Sequence, residues 1–188
     1  MSQATSKVRW TTRDVEALPN TEGILYEIID GELFVTRSPH HKHQQVAGRI
    51  FSALDTWSLD RGLGEASIMP GLIFSDADNV APDVIWVSRA RLAQIEDDAG
   101  HFCGAPELVV EVLSPGKSNE DRDRLAKLKL YSVQGVQEYW IVDRIAQAIA
   151  IYRRDNAQLV IVATLLTGDQ ITSPLLPGFT CDVARLFV

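Results

Sequence analysis

The sequence predicts an α/β domain, a mixed β-sheet flanked by helices on its faces. Three observations lead there. The run LVVEVL, Leu108–Leu113, is apolar at every position but one, as a strand buried on both faces must be. Strand-like segments stand before, between and after two long helical patterns. A hydrophobic fraction of 46% over 188 residues supplies a sizeable core and argues against disorder. One domain is expected over 1–188, with its core at about 10–187.

The elements follow in order. WTTRDVEALP, from Trp10, reads as a short helix that Thr12 could cap and Pro19 stops. GILYEIIDGELFVT reads as a hairpin, because Asp30-Gly31 supplies the positive φ angles of a tight turn. HKHQQVAGRIFSALDTWSLDRG is a helix. Val46, Ile50, Leu54 and Trp57 recur at helical spacing, and Gly62 ends it. Short strands are expected at Ala66–Met69 and Leu72–Phe74. VAPDVIWVS starts with a Pro-Asp corner and continues as a strand, and PELVVEVLSP is the next and most apolar strand. A second helix runs from Asn119 to Val133, with Ser118 or Asn119 as its cap and Gly135 past its end. EYWIVD, AQAIAIYRR and AQLVIVATLL read as three strands. The tail LLPGFTCDVARLF is expected to pack as a loop and a short helical turn.

Composition excludes several classes. No apolar run approaches the ~18 residues that span a bilayer, so no membrane partner is expected. MSQATSKVRW has no apolar signal core, and a cytoplasmic location is expected. Cys103 and Cys181 lie far apart outside any CxxC pairing, which fits reduced thiols better than a disulfide or zinc site. A net charge of -7 disfavours indiscriminate polyanion binding but allows a local basic groove. There is no internal repeat, low-complexity segment or Gly/Ser linker.

Against this background some carboxylates are out of place. Side chains alternate along a strand, so Glu111 shares a face with Val109 and Leu113. Desolvating an ionised carboxylate costs several kcal/mol unless an arginine, a proton or a metal compensates. A buried ion pair, or a strand-end residue reaching water, is the competing reading. Asp83 opens the VIWV strand after Pro82. If the two strands are neighbours, both acids converge on one point, where a hard divalent cation would remove their repulsion. Pro-Asp is also a common turn initiator. Glu27 lies between Leu25 and Ile29 on one strand face, again an odd place for charge unless that strand is a half-buried edge.

Cations follow on the second helix. Asp123, Lys127 and Tyr131 stand at i, i+4 and i+8 on one face. An exposed Asp–Lys pair is the ordinary reading of such spacing. Lys129 competes with Lys127, since it falls among Leu125, Ala126 and Val133 on the helical wheel. His40, His41 and His43 cluster ahead of the first long helix without the spacing of a zinc site. A solvated helix start is expected there, although His43 could reach a phosphate or orient a catalytic acid.

LYEIIDGEL, APDVIWVS, APELVVEVLSP, DRLAKLKLYSVQGVQEYWIVD and LLPGF, in that order, resemble the Uma-type restriction endonucleases, within the PD-(D/E)XK nuclease superfamily. The resemblance runs from about Trp10 to Phe187, and PDV, EVLSP and GVQEYWIVD together are specific. It implies a restriction endonuclease-like core. It also implies that Asp83 and Glu111 are the metal-ligand acids, with the main-chain carbonyl of Val112 completing the shell of Mg²⁺ or Mn²⁺. The usual lysine of E-x-K is Leu113 here, which cannot do that chemistry. The resemblance implies that Lys127, on the following helix, takes its place and that Glu27 is the acid of the family's YE motif.

The activity so implied is metal-dependent endonucleolytic hydrolysis of DNA. Asp83 and Glu111 would bind the ion, Lys127 would position or help deprotonate water, and Glu27 would orient Lys127 or help hold a second metal. Lys117, Arg122, Arg124 and Lys129 are expected to contact the nucleic-acid backbone. A homodimer is expected, because cutting both strands of a duplex commonly needs two sites. Two other readings stay open: a catalytically silent nucleic-acid-binding or dimerisation module of this fold, and a metal-dependent hydrolase of small phosphoesters.

Overall fold

The computed structural model describes residues 8–188; the first seven residues of the polar N-terminal segment lie outside it. In chain order the elements are α1 (Thr12–Glu16), β1 (Ile24–Ile29), β2 (Glu32–Arg37), α2 (His41–Arg61), β3 (Gly64–Ile68), β4 (Leu72–Ser75), β5 (Asp78–Val80), β6 (Val84–Ser88), α3 (Arg89–Ile95) and β7 (Leu108–Val112). Then come α4 (Lys117–Asp121), a π-helical turn (Arg122–Lys127), α5 (Leu128–Gln134), β8 (Glu138–Asp143), β9 (Ala148–Asp155), β10 (Gln158–Leu165), β11 (Gln170–Ser173), β12 (Leu176–Asp182) and α6 (Val183–Leu186).

The main sheet has the order β10-β9-β8-β7-β6-β3. Strand β7 runs parallel to β8 and antiparallel to β6, which makes the sheet mixed and places the most apolar strand at its centre. A second sheet, β2-β1-β5-β4, carries the hairpin. Asp30 and Gly31 turn that hairpin with φ of 50° and 71°.

Strand alternation divides the core. Leu108, Val110 and Val112 pack on one side with Val46, Ala47, Ile50, Leu54 and Trp57 of α2. Val109 and Leu113 point to the other side, with Ile85, Leu130, Tyr131 and Tyr139. Helix α2 is locked to the sheet by one polar relay: Trp86 Nε1 donates to Ser58 Oγ at 2.9 Å, and Ser58 donates to the Leu54 carbonyl at 2.7 Å. Gly62 closes α2 in the left-handed region at φ 64°.

Three sequence expectations need correction. Helix α1 is capped by Thr11 rather than Thr12, in a box with Asp14. The second helix starts at Lys117 with Gly116 before it, and Asn119 uses its amide to hold the Pro115 carbonyl instead of capping. The tail is a strand pair, β11-β12, before its helical turn; Ile171, Leu176 and Phe179 join the α2 side of the core, and this burial stabilises a hairpin whose turn, Pro174-Leu175, carries no Asn-Gly or Asp-Gly signal. Strand β5 and helix α3 lack periodic patterns long enough to read from sequence.

Candidate active site

Register brings the two acids together. Strands β6 and β7 pair Trp86 with Leu108, Ile85 with Val109 and Val84 with Val110. One step further along the same antiparallel register, Asp83 faces Glu111. Asp83 Oδ2 accepts the Val112 amide N–H at 2.7 Å, which ties the residue before β6 to the end of β7. Both acids line one cavity of about 590 Å³, together with Glu27, His40, His43, Arg122 and Lys127.

Lys127 is 1% exposed. Its Nζ donates to Glu111 Oε1 at 2.8 Å and stands 2.9 Å from Glu27 Oε1. The π-helical turn is what carries it inward. A π turn holds more than four residues, so side chains four apart stay nearly in line. Asp123, Lys127 and Tyr131 therefore all face the sheet and are buried. Tyr131 donates its hydroxyl to the same Glu111 Oε1 at 2.8 Å, and Tyr139 donates to the Asp123 carbonyl at 3.0 Å. Glu27 reaches in from β1, accepting the Ala81 amide at 3.0 Å, with Arg122 Nη1 at 3.7 Å from its other oxygen.

The cluster carries excess negative charge. Among the described residues, Glu27, Asp83, Glu111 and Asp123 face two cations, Lys127 and Arg122. Burial pushes the Glu111 carboxyl up to about 8; Lys127 opposes this, while Asp83, Asp123 and Glu27 reinforce it. Burial also raises Asp123, against Lys127 and Arg122. Lys127 shows the opposite balance. Burial pulls its ammonium down, but Glu111, Glu27 and Asp123 outweigh this and hold it above the ordinary lysine range. Tyr131 and Tyr139 are driven well up by burial and by Glu111.

The free oxygens fit a cation. Among the described residues Glu111 Oε2 and Asp83 Oδ1 take no hydrogen bond, whereas the buried Glu138 spends both oxygens, on Trp140 Nε1 and Arg153 Nε. Glu111 is thus not a structural ion pair of the Glu138 kind. No three His, Cys, Asp or Glu side chains form a ready metal cluster among the described residues. A carboxylate pair is still the usual protein share of a Mg²⁺ site, which keeps waters and adds substrate phosphates.

The expected residues divide clearly. Asp83, Glu111, Lys127 and Glu27 meet in one cavity. Val112 touches the site through its amide N–H. Lys129 does not enter: its side chain is 75% exposed and lies 3.9 Å from Asp30. Leu125 and Val133 are exposed as well, because the π turn rotates that face to solvent. Arg122, expected at the nucleic-acid backbone, lines that same cavity. It is buried and bound to Asp123 at 2.8 Å, so its guanidinium is part of the charged cluster. Arg124 rests near Asp143 at 3.5 Å, and Lys117 is exposed at the start of α4. Nor is His43 part of a solvated helix start; it is 4% exposed, with Nε2 at 3.3 Å from Asp83 Oδ2. Sequence reasoning gave Tyr131 and Tyr139 no role, and the i+4 step from Lys127 was the signal for the first.

A mixed sheet flanked by helices is the fold of the restriction endonuclease-like proteins. The model of the Uma2 family, described as "Putative restriction endonuclease", matches residues 12–184, and the chain belongs to that family. Among solved structures, a "putative nuclease belonging to DUF820 from Anabaena variabilis ATCC 29413" superposes with a TM-score of 0.72. It is 21% identical, over 94% of this chain and 97% of that one, a likeness that shows the fold. No curated protein matches the chain. No helix among the described residues is long and apolar enough to cross a membrane.

Proposed function

We propose that this chain is a metal-dependent endonuclease that hydrolyses phosphodiester bonds in DNA. Asp83 and Glu111 would hold Mg²⁺ or Mn²⁺ through their free oxygens, with the Val112 carbonyl as a further donor. The observation that carries this reading is the cross-strand placement of Asp83 and Glu111 around a cavity that also holds Lys127. A bound divalent ion supplies Lewis acidity at a phosphate and lowers the pKa of a coordinated water. It also neutralises the surplus charge of the four acids.

The other roles belong to the chain itself. The acids around Lys127 favour its charged form, which would orient the attacking water and stabilise charge on phosphoryl oxygens. Glu27 and Tyr131 position it: Glu27 holds Nζ directly, and Tyr131 shares its acceptor on Glu111. Lys117 and Arg124 would meet backbone phosphates at the rim. A homodimer, with one site for each strand, belongs to the same proposal.

Incubation of supercoiled plasmid with Mn²⁺ or Mg²⁺ tests the reading. Nicking or linearisation by the natural chain is expected, and loss of at least about 10²-fold in Asp83→Ala and Glu111→Ala. Cleavage by either variant at the natural rate would remove that ligand. Leu113 at the usual lysine position and the net charge of -7 favour a second reading, a silent nucleic-acid-binding or dimerisation module. Salt-sensitive DNA binding with no cleavage in either metal would select it.

A further inference from the structure

The start of α2 points at the same cavity and has features that the nuclease reading leaves unused. Pro39, His40 and His43 line the wall there, with Arg37 at the end of β2. His43 is buried, and its Nδ1 is sealed from solvent with no partner among the described residues. An N–H at that nitrogen would be a buried donor left unpaired, which native structures show more rarely than an under-satisfied acceptor. A bare Nδ1 therefore places the proton on Nε2. Nε2 lies 3.3 Å from Asp83 Oδ2 without hydrogen-bond geometry, and that oxygen already accepts the Val112 amide. His40 reaches the same tautomer by another route. Its Nδ1 accepts the Lys42 amide N–H at 3.1 Å and caps the helix, so its proton also sits on Nε2. Two imidazole donors thus stand at the positive end of a 21-residue helix.

We infer that this end of α2 is a phosphate subsite, in which Nε2–H of His43 and of His40 donates to a phosphodiester oxygen of DNA beside the reacting one. The inference rests on the nuclease reading and assigns His43 to the substrate, not to the metal: a nitrogen that carries a proton has no lone pair for a cation. Among the described residues Asp83 is the acid beside His43, with Glu27 and Glu111 further lining the cavity, and their repulsion of phosphate is what a bound cation would offset.

The test needs no turnover. Long-range ¹H–¹⁵N correlation on imidazole-labelled protein is expected to show the Nε2–H tautomer for both residues; a proton on Nδ1 of His43 overturns the assignment. Binding of a short DNA duplex, measured by anisotropy at low salt with Ca²⁺ as the hard divalent ion, is expected to weaken roughly 3- to 10-fold in H43A and in H40A. Mn²⁺ affinity of the free protein, read by calorimetry, should stay within about twofold. Glutamine places an amide donor near the Nε2 position and asparagine near Nδ1. H43Q is therefore expected to bind DNA like the natural chain and H43N like H43A, which decides the matter even if H43A does not fold. Natural affinity in H43N, failure of the natural chain to bind duplex, or a tenfold loss of Mn²⁺ affinity in H43Q would each overturn the subsite. The nuclease reading fails separately, on absence of metal-dependent cleavage.

Discussion

Lys127 meets Glu111 from the helix that follows the strand, Nζ to Oε1 at 2.8 Å with both side chains sealed from solvent. The position two residues beyond Glu111 is Leu113, which packs into the core. The amine beside Glu111 comes instead from a π turn of the next helix.

Removing that amine strands two buried carboxylates. Lys127→Ala is expected to cost about 3–5 kcal/mol of stability, the range for breaking a buried ion pair from one side. Lys129→Ala should stay within about 0.5 kcal/mol, as exposed surface changes do. Urea unfolding of both variants makes the comparison. Equal losses would show that Lys127 is not the buried member.

Glu27→Gln keeps the shape and removes one charge from Lys127. Turnover is expected to fall by roughly 10-fold or more, as when a positioning contact is lost, with Mn²⁺ affinity unchanged. Calorimetry beside a cleavage assay reads both. A large drop in Mn²⁺ affinity would instead make Glu27 a ligand.

Glu111 sets a pH dependence of stability. Burial holds its folded-state pKa at about 8, above the ordinary 4.5. A raised carboxyl stabilises the fold fully below the unfolded value, and that contribution is lost as pH climbs through the folded one. The metal-free protein should therefore lose Tm between about pH 4.5 and 8, with Asp123 adding in the same direction. Glu111→Gln should flatten much of that slope. Saturating Mg²⁺ should raise Tm more at pH 8 than at pH 5, since the ion needs the ionised form. A melting temperature independent of pH and Mg²⁺ across this window would contradict the surplus negative charge of the cluster.

Gly64 marks the tightest contact between β3 and β6. A Cβ there would lie 2.3 Å from the Val87 carbonyl oxygen and 2.5 Å from the Trp86 ring. Gly64→Ala should destabilise by about 1–3 kcal/mol through overpacking. Gly48→Ala, with open space at its Cβ, should gain helix propensity of up to about 1 kcal/mol. Thermal melts of the two variants should move in opposite directions, and a shared direction would refute the packing argument.

Local chemistry was enough for most of the architecture. Period-3.6 apolar residues marked α2, an Asp-Gly turn marked the first hairpin, and the unbroken run at Leu108–Leu113 marked the central strand, because each signal is written within a few residues. The anomaly of Glu111 was legible for the same reason: one charge in an apolar run stands out. What the chain order could not state was the partner of each charge. That Asp83 faces Glu111 depends on the register of β6 against β7, and that Lys127 rather than Lys129 turns inward depends on a π turn with no pattern of its own. The burial of Arg122 and His43 likewise arises only where β1, α2 and the second helix meet around the end of the central strand β7. Secondary structure is set by neighbours along the chain, and the site by side chains that only packing brings within reach of one another.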